Sequence, residues 1–77
     1  MTTTIIEELQ RHVKMSKKVI GIWEKNGPPG GPLEDNLRMI SEEIAFLESM
    51  QAAHPRRGKG LGRLADRYRE FRRSLTE

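Results

Sequence analysis

At 77 residues and 8.9 kDa the chain has room for one small domain, residues 1–77, and none for a second. Hydrophobic residues make up 35% and charged residues 32%, and so short a chain buries too little surface to line a deep catalytic cleft. Cysteine is absent, which excludes disulfide staples, thiolate metal sites and cysteine nucleophiles.

No apolar run approaches the roughly 20 residues that cross a bilayer, so no membrane partner is expected. The opening MTTTIIEELQ lacks the basic start and apolar centre of a secretory signal, and a cytoplasmic protein is the expectation. The net charge of +3 is unevenly spread. Residues 1–26 carry five basic against three acidic groups, residues 27–53 one against five, and residues 54–77 eight against three. Basic ends suit a polyanionic partner: nucleic acid, a membrane surface or an acidic protein patch. An acidic middle helix packed between two basic ones would instead absorb that charge inside the fold. Charge sign alone leaves both readings open.

The first predicted helix spans about 5–26. Thr4 and Glu7 form a T-x-x-E capping box at its start. Ile6, Leu9, Val13, Ser16, Ile20 and Trp23 then recur at steps of three and four, with Ile5, His12, Val19 and Ile22 widening the apolar face. Lys25-Asn26-Gly27 reads as its end, with a cation in the last turn and a glycine for the left-handed cap. Gly21 interrupts the pattern, either to admit a neighbouring helix or as a plain defect.

Residues 27–32, Gly-Pro-Pro-Gly-Gly-Pro, cannot propagate a helix and read as a turn. Pro29 and Pro32 have P-x-x-P spacing, but the glycines between them break the polyproline run that an SH3-type groove accepts, so a turn is the expected reading. The second helix, about 32–53, opens on Pro32 with Glu34 and Asp35 in its first turn, where the helix dipole favours anions. Leu33, Leu37, Ile40, Ile44 and Leu47 form its seam, and Met39, Phe46 and Met50 a second stripe. His54-Pro55 ends it, because a residue before proline avoids the helical region.

Residues 55–60 form a basic, glycine-containing hinge. Leu61, Leu64, Tyr68, Phe71 and Leu75 then resume the stepping in a third helix, about 61–75. All three periods are near 3.5 and no strand pattern intervenes, so the fold class is all-α. The first two helices are expected as an antiparallel hairpin, with Trp23 near Leu33 and Leu37, and with Ile6 and Leu9 near Leu47 and Met50. The exposed stripes are covered either by the third helix, giving a three-helix bundle, or by a second copy, giving a dimeric helical bundle; a homodimer is the favoured expectation.

Candidate chemistry is sparse. Glu8, His12 and Ser16 share a face at i, i+4 spacing, yet a lone helix supplies neither oxyanion donors nor a dry pocket, so no catalytic residues are assigned. His12 and His54 are the only histidines, and Glu7-Glu8 and Glu42-Glu43 splay apart on their helices; no metal or cofactor is expected. Gly58-Lys59-Gly60-Leu61-Gly62-Arg63 matches neither phosphate-binding loop pattern.

What remains is a non-enzymatic regulator or inhibitor that binds a larger protein through its helical surface and basic C-terminal region. The partner-binding candidates are Arg56, Arg57, Lys59, Arg63, Arg67, Arg69, Arg72 and Arg73. The alternative is a nucleic-acid accessory protein that grips phosphates with the same arm. Tyr68 and Phe71 fall in the apolar row, which favours a place in the core over base stacking.

Overall fold

A computed structural model describes residues 5–56 and 60–77. They form three helices, α1 (Ile5–Asn26), α2 (Leu33–Ala53) and α3 (Leu61–Thr76), each bounded within a residue of the span its periodicity predicts. The capping residue Thr4 and the side chains of Ile5 and Ile6 lie outside the described part. Gly27 takes the left-handed conformation (φ +88°), and its N–H donates to the Trp23 carbonyl at 2.8 Å, closing α1 as the sequence suggests. Pro32 caps α2 from extended backbone, and its carbonyl accepts the Asp35 and Asn36 amides at 3.1 and 3.3 Å. His54 leaves the helical region ahead of Pro55, with its N–H still bonded to the Met50 carbonyl.

The helices make a three-helix bundle within one chain. α1 and α2 run antiparallel, with His12 beside Glu43 and Phe46, while α3 runs parallel to α1, with Ser16 beside Tyr68 and Trp23 beside Phe71. α3 lies closest against α2, whereas no Cα of α1 comes within 8 Å of a Cα of α2. The hairpin helices therefore stand apart and meet through side chains alone. The core draws Leu9 and Ile20 from α1, Ile40, Ile44 and Leu47 from α2, and Leu61, Leu64, Ala65 and Tyr68 from α3. Each fully buried aliphatic side chain contributes about 1.5–3 kcal/mol.

Trp23 borders the groove between α1 and α2 and also packs on α3, stacked on Phe71 at 5.9 Å and edge-on to Tyr68 at 6.1 Å. Leu33 is 48% exposed. Asn36 is buried instead, one turn into α2, where its amide donates to the Pro29 carbonyl at 3.1 Å and ties the proline-glycine turn to the bundle. Leu9 and Met50 do border one groove, as the hairpin register requires.

A Cβ built on Gly21 meets nothing within 4 Å, so this glycine admits no neighbour and acts as a propensity defect. Gly21→Ala is expected to stabilise the fold by about 0.5–1 kcal/mol, raising the melting midpoint by roughly 4–8 °C per kcal/mol. A thermal melt with an unchanged or lowered midpoint would contradict an open flank there. No described helix is long and apolar enough to cross a membrane.

Candidate protein-binding surface

The eight basic candidates divide by their surroundings. Arg67 forms a two-point pair with Glu24 of α1, at 2.5 Å (Nη2–Oε1) and 3.3 Å (Nε–Oε2), and this bond raises its guanidinium above the ordinary range. Arg69 reaches Glu48 of α2 and, at 2.8 Å, Asp66 of its own helix. Arg72 donates to Ser41 Oγ at 3.0 Å, and Arg73 pairs with Glu70 at 2.6 Å. Exposed pairs of this kind contribute about 0–1 kcal/mol each. Three of these arginines hold the rotation of α3 against its neighbours. Arg56 and Arg63 are exposed with no partner among the described residues. Arg57 and Lys59 lie outside the described residues.

The flank between α1 and α3 explains why Arg63 stays unpaired. Glu7, Gln10, Lys14, Lys17, Gly21 and Glu24 follow one another along α1 at steps of three and four, the spacing of a single surface row. Gly60, Arg63 and Arg67 form the matching row on α3. The Glu24–Arg67 pair closes this flank at one end. Toward the start of α3 the row from α1 offers Lys14 and Lys17, and the row from α3 offers Arg63. Like charges do not close, and a groove of about 500 Å³ remains, lined by Lys14 and Lys17 over Leu9, Val13 and Leu61. Neither lysine has a partner among the described residues.

The opposite flank of α1 holds a second groove, about 530 Å³, between α1 and α2. Met15, Met39 and Phe46 line it, with Ser16 and Tyr68 beneath. His12 Nε2 meets both Glu43 oxygens, at 2.5 and 2.9 Å, and its ring lies 4.3 Å from that of Phe46. Ser16 Oγ donates to Tyr68 Oη at 2.9 Å, while the Tyr68 hydroxyl donates to the Ser16 carbonyl at 2.8 Å. The shared face of Glu8, His12 and Ser16 is thus divided: the histidine is held by α2 and the serine points into the core. No group of three His, Asp or Glu among the described residues is placed to hold a metal ion.

Burial raises the Tyr68 hydroxyl above its ordinary pKa, with the Ser16 bond opposing. The folded state therefore keeps this proton more tightly than the unfolded chain, whose tyrosine titrates near about 10. The stability so conferred is fully present below pH ~10 and is lost as pH rises through the folded value. Tyr68 is the only tyrosine, so the tyrosinate absorbance band reports it alone. Denaturation midpoints measured from neutral to strongly alkaline pH are expected to fall above about pH 10. Tyr68→Phe should lessen that fall, and an identical pH profile in this variant would contradict the assignment.

Lys14 and Lys17 were not among the sequence candidates. Comparison of the chain with protein-family models, curated proteins and solved structures found no match.

Proposed function

We propose that this chain is a small non-enzymatic regulator or inhibitor that occupies an acidic surface of a protein partner. Its contact region is the α1–α3 flank, formed by Lys14, Lys17 and Arg63, with Arg56 on the adjoining hinge. One observation carries this reading: most arginines of α3 are engaged within the fold, while Lys14, Lys17, Arg56 and Arg63 have no partner among the described residues, and Lys14 and Lys17 line a groove floored by Leu9, Val13 and Leu61. A carboxylate-bearing segment with an aliphatic side chain satisfies both the charge and the floor. A phosphodiester backbone satisfies only the charge. Tyr68, buried in the core, is not available to stack on a base. The sequence adds Arg57 and Lys59 to the same hinge.

The reading is tested by titrating isotopically labelled protein with a leucine- and glutamate-containing peptide and, separately, with random duplex DNA. The peptide is expected to shift the amides of residues 9–17 and 60–63 and to leave residues 69–76 unchanged. Duplex that binds more tightly than the peptide, with affinity falling log-linearly in salt, would replace this reading with the nucleic-acid one.

A further inference from the structure

We infer that the α1–α2 face binds a second copy of this chain, in a twofold dimer whose axis runs along the helices. Four of the five exposed large apolar side chains lie on this face: Met15 (61%), Ile22 (50%), Met39 (41%) and Phe46 (37%). They alternate with charge in two rows of opposite sign. On α1 the order is Glu8, Arg11, Met15, Lys18, Ile22, Lys25, basic after its first member, and on α2 it is Asp35, Met39, Glu42, Phe46, Ser49, both at steps of three and four. α3 packs on the other side of the hairpin, and no described residue outside α1 and α2 is placed over these rows.

A twofold axis can lie in this face in two ways. An axis across the helices sets α1 against α1 of the second copy, so the basic row meets itself. An axis along the helices sets α1 against α2 of the second copy and keeps every residue at its own level. The level is fixed by His12 standing beside Glu43 and Phe46. Lys18 then comes level with Met39 of the second copy, within a turn of both Asp35 and Glu42, the basic margin faces the acidic one, and the apolar members of both rows meet between them. Charge complementarity selects the second arrangement and makes the face complementary to itself, as a closed twofold contact requires. Arg11, Lys18 and Glu42 have no partner among the described residues, so the dimer breaks none of their ion pairs. The α1–α3 flank lies on the far side of α1 and stays open in both copies.

Sedimentation equilibrium of the full chain across a wide concentration range provides the test. A reversible monomer–dimer equilibrium is expected. Met15→Glu and Met39→Glu, at positions exposed enough to leave the helical circular dichroism unchanged, should abolish the dimer. Lys18→Glu and Glu42→Lys should each weaken it about tenfold, because two symmetric contacts turn repulsive, and the double variant should recover most of that loss. A monomer at all attainable concentrations would overturn the proposal, as would a dimer indifferent to Met15 and Met39. Charge reversals that do not rescue one another would also overturn it.

Discussion

Tyr68→Ala is expected to leave the protein largely unfolded at room temperature. Tyr68 is 2% exposed and joins the helices: its ring meets Trp23 edge-on, and its hydroxyl is bonded in both directions to Ser16 of α1. Removing a large buried aromatic costs about 3–5 kcal/mol, and a core of this size rarely supplies more than about 3–5 kcal/mol in total. Tyr68→Phe separates packing from hydrogen bonding. It keeps the ring and strands the buried Ser16 hydroxyl, for about 1–2 kcal/mol. Ser16→Ala should cost less, because the tyrosine hydroxyl still reaches the Ser16 carbonyl. Urea denaturation followed by circular dichroism gives all three values, and the double variant Ser16→Ala/Tyr68→Phe should cost less than the two singles added together. Strict additivity would show that the two hydroxyls do not act as a pair.

The second large effect concerns binding and should oppose stability. Reversing Lys14 and Lys17 to glutamate places acids toward Arg63, where the flank now presents Lys14 and Lys17. The fold should lose nothing and gain up to about 0.5 kcal/mol from the new ion pairs. The same change makes the groove repel an acidic segment, and peptide affinity should fall by a factor of ten or more, since like-charge juxtaposition at an interface costs several kcal/mol. Calorimetric titration alongside a thermal melt measures both. A variant that binds normally would move the contact surface elsewhere, and a variant that unfolds would show that the lysines are structural.

The helices were legible because their causes are local. The three-four seams, Gly27 after α1, the acids opening α2 and Pro55 closing it each act within a turn or two of chain. Asn36 was missed because its partner, the Pro29 carbonyl, is presented only once the turn has folded back. The contacts of Trp23 with Tyr68 and Phe71 of α3 were not legible, because they depend on how α3 packs back on α1.

The contact surface was less legible, for a reason of geometry. Net charge located a basic C-terminal region, but whether an arginine is free depends on how α3 is rotated against acids up to 43 positions away, as with Glu24 and Arg67. The acidic middle helix does take up part of the excess, through Glu48 and Arg69. A signal for Lys14 and Lys17 was present: between Glu7 and Glu24 their row on α1 holds no acid. It becomes informative only once that row is set beside Gly60, Arg63 and Arg67.

The most direct test is affinity capture by the full chain in its native host, with nuclease treatment, carried out beside Lys14→Glu/Lys17→Glu/Arg63→Glu and Arg72→Ala/Arg73→Ala. A nuclease-resistant protein partner held by the parent and by the α3 double variant, but lost by the triple reversal, is the predicted result. A partner lost with Arg72 and Arg73 and kept by the triple reversal, or one released by nuclease, would contradict the account.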